Sequence, residues 1–261
     1  MRMSRRELLQ AGVGTGIAAA CGAATTPPLL GLIAPPADYP VPPDGIALYG
    51  RDIRFLVHGL GLTSMTPEGY DAVIDKIVPF AKEQARAGAS AISIFGTSLT
   101  FYKGAAFNQK LIDDVHRETG LPTTSMSTAV VDGLKQVKAR RVAAATAYNE
   151  EVSGRLKRFL EESGFEVVAM KGLGLEAISD PAKVTQESLQ QFSADVFKSA
   201  AKADALVVSC GGLRTLEIIA PLEQTCHVPV VSSTPHALWA GMRLLGLHVR
   251  VPEYGQLIAR G

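Results

Sequence analysis

Three cysteines, Cys21, Cys210 and Cys226, carry the strongest intrinsic nucleophilic and acid chemistry in this sequence. They are too few for a disulfide framework, and no CxxC pair is spaced as a zinc site. The five histidines (His58, His116, His227, His236 and His248) form no ligand-spaced cluster. No HExxH, no GxxxxGKS/T and no acidic calcium loop occurs, so a metal-free and nucleotide-free chemistry is expected. What is left is the chemistry of one thiol. Cys210 lies in Ser209-Cys210-Gly211-Gly212-Leu213, directly after an apolar run. With a reference pKa of roughly 8.5 it is a thiol at neutral pH, able to give up a proton. A buried cysteine in such a turn is more often a small core residue. Cys226, in a polar stretch before Val228, is read as inert.

An internal repeat raises Cys210 above that background. Ala89–Leu99 lies over Ala203–Leu213 at a constant offset of 114, each an apolar strand running into a small-residue turn and then Leu. Leu121-Pro122-Thr123-Thr124-Ser125 likewise matches Val228-Pro229-Val230-Val231-Ser232 at an offset of 107. Two similar halves imply two similar lobes whose strand-end turns face one another. One side of the cleft would then be Gly96-Thr97-Ser98 and the other Cys210-Gly211-Gly212. Such turns expose backbone N–H groups, and a following helix adds its positive end, which suits a carboxylate ligand. The repeat is asymmetric at the thiol, because Gly96 occupies the place of Cys210. Two opposed thiols can take a proton from one face and return it to the other; one thiol can deliver to one face only.

The elements that must position these residues alternate strand and helix. Leu29–Ala34, Arg54–Leu60, Ser90–Phe95, Arg140–Thr146, Phe165–Lys171, Ala205–Ser209 and Val228–Ser232 read as strands, with Thr123–Met126 extended. Pro67–Ala87 has helical spacing, with Thr66 as N-cap, Pro67 in the first position and Gly88 as terminator. Phe107–Thr119, Glu150–Ser163, Leu189–Ala201 and Pro235–Leu245 read as further helices. Apolar strands alternating with helices predict parallel sheets covered on both faces. Five prolines within Pro35–Pro43 mark a loop after the first strand. Ligands of open α/β sheets bind beyond the carboxyl ends of strands, so this loop is a candidate wall of the site.

With 26 basic and 25 acidic residues the net charge is +1, and one Trp and six Tyr make no basic-aromatic stripe. Nucleic acid and anionic membrane surfaces are therefore not expected partners. Residues 1–28 differ from the rest: Ser4-Arg5-Arg6-Glu7-Leu8-Leu9 precedes an apolar run, Ala11 to Ala20, too short to span a bilayer. This pattern predicts a twin-arginine export signal, a periplasmic mature protein and no stable membrane insertion after signal removal. Cys21 is a weak lipidation acceptor. Residues 29–135 with 236–261 are expected to form a first α/β lobe, and 136–235 a second lobe carrying the cysteine.

From about Leu32 to Leu245 the sequence resembles the aspartate/glutamate racemase superfamily and, within it, the arylmalonate decarboxylases. The segments that carry the resemblance are Gly59-Leu60-Gly61-Leu62, Thr66–Ile74, Gly96–Leu99, Phe101-Tyr102, Gly104–Asn108, Met126–Ala129, Ala145–Tyr148, Ser209–Leu213 and Pro229–Ser233. Racemases and maleate isomerases of that superfamily carry a cysteine in each half; the decarboxylases keep only the second, the pattern of Gly96 and Cys210. The resemblance implies two pseudo-symmetric lobes, each a short parallel sheet flanked by helices. It implies cofactor-free decarboxylation of disubstituted aryl or alkenyl malonates, by a monomer, to one enantiomer of a 2-substituted acid. In that scheme Thr97, Ser98, Tyr148 and Gly211, with Gly96 in the turn, hold an enediolate and Cys210 protonates it. The leaving carboxylate would sit among Leu62, Met65, Tyr70, Leu99, Leu175 and Ile178, with Pro35 in the wall. Arg214 and His236 depart from the family pattern: Arg214 reads as a solvated helix face and His236 as solvated or core, but Arg214 turned inward could lower the thiol pKa or bind a second carboxylate, and His236 could relay protons. Alternative expectations are a racemase or maleate-type isomerase, which lacks its second thiol here, and a periplasmic carboxylate-binding protein.

Overall fold

The apolar runs that alternate with helical spacing form two four-stranded parallel sheets in a computed structural model, which describes residues 26–200 and 202–261. The twin-arginine segment and Cys21 lie outside the described residues. Among the described residues no helix is long and apolar enough to cross a membrane.

The first sheet contains β1 (Leu29–Ala34), β2 (Arg54–Gly59), β3 (Ala91–Ile94) and β4 (Thr123–Ser125), in the order β2-β1-β3-β4. The second contains β5 (Arg141–Tyr148), β6 (Glu166–Leu175), β7 (Ala205–Ser209) and β8 (Val230–Ser232), in the order β6-β5-β7-β8. The two orders are the same, each strand of one sheet having its counterpart four strands later, so the sequence repeat is a repeat of topology. The central strands β1, β3 and β7 are buried along their whole length and β5 along all but its first residue, as strands covered on both faces must be. In each sheet the order reverses between the first and third strands, so the crevice for a ligand opens beyond the ends of β1 and β3, and of β5 and β7.

The helices between the strands are α1 (Pro43–Tyr49), α2 (Pro67–Asp71), α3 (Ile77–Arg86), α4 (Thr97–Phe101), α5 (Ala105–Thr119), α6 (Met126–Gln136), α7 (Glu150–Glu162), α8 (Gln186–Lys198), α9 (Leu216–Cys226) and α10 (Thr234–Leu244). Thr66 does cap α2, its hydroxyl accepting from the N–H of Gly69. The single helix expected over Pro67–Ala87 is instead α2, a short 3-10 turn at Ile74–Lys76, and α3. Pro79 supplies the reason: it has no N–H to give to Asp75, and its ring crowds that carbonyl. α1 and α6 were not anticipated, and the helices expected after the two turns, α4 and α9, had no bounds set by the sequence. α10 follows β8 but packs on α6 and against β3 and β4 of the first sheet.

The chain segments beyond β2 and β6 also meet. The N–H of Met65 donates to Glu176 O at 2.8 Å, the N–H of Ile178 to Thr63 O at 3.3 Å, and Ser64 bridges Ala177. This pairing joins the two halves on one side of the crevice.

Candidate active site

β3 and β7 each end in a turn that must leave the sheet sharply. At Gly96 the backbone takes φ +96°, a conformation glycine adopts without penalty. A Cβ there would lie 2.5 Å from Pro35 Cγ, so the proline after β1 and the turn after β3 are in direct contact. Thr97 and Ser98 then form the first turn of α4 and are both buried. The equivalent turn after β7 places Cys210, Gly211 and Gly212 opposite them. The two turns and the loop after β1 enclose an inner cavity of about 40 Å³. Its polar side is Gly96, Thr97, Ser98, Cys210, Gly211 and Gly212; its apolar side includes Pro35, Leu62, Met65 and Ile178.

The helix ends contribute less than the sequence suggested. α4 has five residues, and α9 begins only at Leu216, after Gly211–Thr215 have turned away from Cys210. The donors at the site are individual hydroxyls and turn N–H groups rather than the dipoles of long helices.

Ser233, at the junction of β8 and α10, links the two turns. Its hydroxyl oxygen accepts from Thr97 Oγ1 at 2.7 Å and from the N–H of Cys210 at 3.1 Å. The Thr97 carbonyl is held in turn by Ser127 Oγ at 2.8 Å and Thr100 Oγ1 at 3.1 Å. All four hydroxyl side chains are buried, so the site is fixed by bonds that water does not compete for.

Cys210 is buried, and loss of hydration pushes its thiol up to about 11. The backbone of Gly212 and Leu213 and the Tyr148 phenol act in the opposite direction; the Leu213 N–H itself donates to the Cys210 carbonyl at 3.2 Å. Tyr148, at the end of β5, is wholly enclosed; burial raises its phenol well above the ordinary value, with the sulfur of Cys210 adding to the rise. Its hydroxyl lies 3.3 Å from Ser209 Oγ and reaches the Thr97 hydroxyl. The thiol, the phenol and the Thr97 side chain therefore lie close enough to act on one another.

Of the residues singled out from sequence, Pro35, Leu62, Met65, Ile178, Gly96, Thr97, Ser98, Cys210 and Gly211 line the cavity. Tyr148, Tyr70 and Leu99 stand buried just behind that lining. Among the described residues the Tyr70 hydroxyl has no hydrogen-bond partner, and burial raises its phenol above the usual range, with the Ser98 side chain opposing. Leu175 is half-buried at the end of β6, in register with Tyr148. Arg214 is exposed and does not act on the thiol. It lines an adjoining outer cleft of about 430 Å³ together with Asp44 and Glu217. Burial and the charge of Glu217 hold the Asp44 carboxyl up near about 6, with Arg214 opposing. His236 is buried and its Nδ1 accepts from the N–H of Ser232 at 3.0 Å; burial depresses it to about 4, so it is neutral at pH 7. Sequence reasoning missed Tyr39, Phe95, Met126 and Pro181 in the lining. It also missed the bridging role of Ser233.

The arylmalonate decarboxylase family model matches residues 30–258. An arylmalonate decarboxylase of Bordetella bronchiseptica is 45% identical over 231 residues, covering 88% of this chain and 96% of that one. A liganded variant of arylmalonate decarboxylase, with one glycine exchanged for cysteine and one cysteine for serine, superposes with TM-score 0.86 at 44% identity, covering 88% and 98% of the two chains. The exchanged positions lie 114 residues apart in that protein, the spacing between Gly96 and Cys210 here. A maleate cis-trans isomerase of Nocardia farcinica, at 22% identity and TM-score 0.82 over 90% and 99% of the chains, shares the fold.

Proposed function

Because the chain belongs to the arylmalonate decarboxylase family and is a carboxy-lyase of that kind, we propose that Cys210 is the single proton donor of a cofactor-free decarboxylation of disubstituted malonates. The observation that carries this reading is one buried thiol, opposed across a 40 Å³ cavity by a Gly-Thr-Ser turn with no second thiol.

One carboxylate of the malonate is retained and the other is lost. When the C–C bond to the departing carboxylate breaks, CO₂ leaves and the electron pair stays on the α-carbon. It spreads into the retained carboxylate as an enediolate. Thr97, Ser98 and Tyr148 hydroxyls and the Gly211 N–H are the donors assigned to that charge. Donors fixed in advance in a water-poor site stabilise developing charge most, and removing one costs about 10²–10³ in rate. The departing carboxylate faces Leu62, Met65 and Ile178, where loss of hydration destabilises the charged form and hardly affects the neutral product CO₂. An aryl or alkenyl substituent on the α-carbon shares the developing charge, so no electron-sink cofactor is called for.

Cys210 S–H then gives its proton to the α-carbon, and the thiolate left behind is reprotonated from solvent. Burial keeps the sulfur in the thiol form at neutral pH. The backbone of Gly212 and Leu213 and the Tyr148 phenol, which act to lower the thiol's value, favour the transient thiolate. Protonation from one fixed side yields one enantiomer.

The test is CO₂ release and product chirality from 2-methyl-2-phenylmalonate with wild type and Cys210→Ala. Loss of a positioned general acid is expected to lower kcat by about 10²–10⁴. Equal turnover by both proteins would remove Cys210 from the chemistry.

A further inference from the structure

We propose that Tyr39 sets the size of the substituent this enzyme accepts, by standing at the neck between the inner cavity and the outer cleft. The inference rests on the decarboxylase reading above and adds to it a residue that selects the substrate.

The inner cavity has room for about 40 Å³. An apolar cavity that takes a benzene ring measures roughly 150 Å³. The inner cavity is therefore too small for a ring, and a ring on the α-carbon has to lie outside it. The space outside is the outer cleft, about 430 Å³. The two are continuous: Pro36, Tyr39, Ile178, Gly211 and Gly212 line both. Within that shared rim, Gly211 and Gly212 add no side chain, and Tyr39 is its largest residue.

The Tyr39 ring is held on several sides. It meets Phe95 edge to face, with centroids 6.4 Å apart at 66°. Burial raises its phenol, with Cys210 adding to the rise and the Thr234 side chain opposing it. The backbone beneath it is stiff. Pro40 follows and confines Tyr39 to extended conformations, and the loop carries Pro35, Pro36, Pro42 and Pro43 as well. The loop start is pinned by Leu60 N–H to Ala34 O and Leu62 N–H to Pro35 O, both at 2.8 Å. A loop of this kind does not swing aside for a large ligand, so the width of the neck is set by the side chain. Alkenyl and single-ring malonates pass beside Tyr39; fused-ring malonates collide with it.

The experiment compares Tyr39→Ala, Tyr39→Gly and Tyr39→Phe in the full-length enzyme. The readout is the ratio of kcat/KM for 2-methyl-2-(2-naphthyl)malonate to that for 2-methyl-2-vinylmalonate. The ratio is expected to rise at least about tenfold in the Ala and Gly variants, since crowding by even small groups shifts specificity by that much. It should stay at the wild-type value in Tyr39→Phe, which keeps the ring. An unmoved ratio in Ala and Gly overturns the proposal. So does an equal loss on both substrates in all three variants, which would place the phenol in the chemistry instead. Calorimetric affinities for 2-(2-naphthyl)propionate and 2-methyl-3-butenoate give the same ratio without turnover. They separate failure of this inference from failure of the decarboxylase reading, in which wild type releases no CO₂ from any malonate. Stronger relative binding of the naphthyl acid by Ala and Gly supports the proposal, and unchanged relative binding overturns it.

Discussion

A thiol that must hand a proton to carbon works only while it carries one. For Cys210 the ordinary thiol value would place the loss of that proton near pH 8.5. Burial moves it up to about 11, and the backbone of Gly212 and Leu213 and the Tyr148 phenol recover only part of the shift. A raised value keeps the acid form present at higher pH, so kcat should run flat through pH 9 and fall as pH approaches 11. His236, neutral above about 4, adds no second limb in this range. Steady-state kcat from pH 7 to 11, with return to pH 7 to exclude unfolding, checks this. A limb near pH 8.5 would mean that the sulfur meets water in the working enzyme. Cys210 and Gly96 were legible in the sequence because the repeat puts them in equivalent places. Tyr39 was not, since its importance arises from where a proline-rich loop happens to cross the cavity, and no periodicity encodes that. Arg214 could be weighed only as a choice between facing in and facing out, and it faces out.

Elements matter here through their junctions. Ser233 belongs to neither β8 nor α10, yet it accepts from Thr97 on one turn and from the Cys210 N–H on the other. Ser233→Ala leaves that buried N–H without a partner, a cost of about 1–3 kcal/mol. It also frees the Thr97 hydroxyl from its fixed direction. Urea unfolding should show the lost stability, and kcat should fall tenfold or more with KM little changed. Ser233→Thr, which keeps an oxygen at the same place, should restore most of both. Normal kcat in a destabilised Ser233→Ala protein would confine the residue to a structural role. Strands were the elements most legible in the sequence, because fully buried strands read as unbroken apolar runs. α6 was missed because it is enclosed on most sides, with Met126, Ala129, Val130, Val131 and Leu134 buried. A helix without a wide polar face shows no stripe. The extent of α9 was missed because Pro221 inside it reads as a helix break. α1 was hidden because Pro43, which opens it as a first-turn proline, also closes a proline run that reads as loop.

At the scale of the whole molecule the two sheets share one strand order, and the turns after β3 and β7 confront each other across the cavity. Chirality follows from that opposition. A thiol on the β7 side reaches one face of a planar enediolate, and a thiol on the β3 side reaches the other. Gly96→Cys combined with Cys210→Ser should therefore give the opposite enantiomer from 2-methyl-2-phenylmalonate. Gly96→Cys alone, with a thiol on each side, should give product of low optical purity. Both variants should be slower than wild type. A side chain at φ +96° is strained by about 1–2 kcal/mol, and its Cβ meets Pro35 Cγ at 2.5 Å unless that ring moves. The relative solved with a glycine-to-cysteine and cysteine-to-serine exchange at the same spacing keeps this fold, so the strain is within what the architecture absorbs. Chiral chromatography of the product acid decides the matter. The same enantiomer from the exchanged enzyme as from wild type would mean that the turns do not address opposite faces of the substrate, and the asymmetry of Gly96 and Cys210 would lose its meaning for stereochemistry.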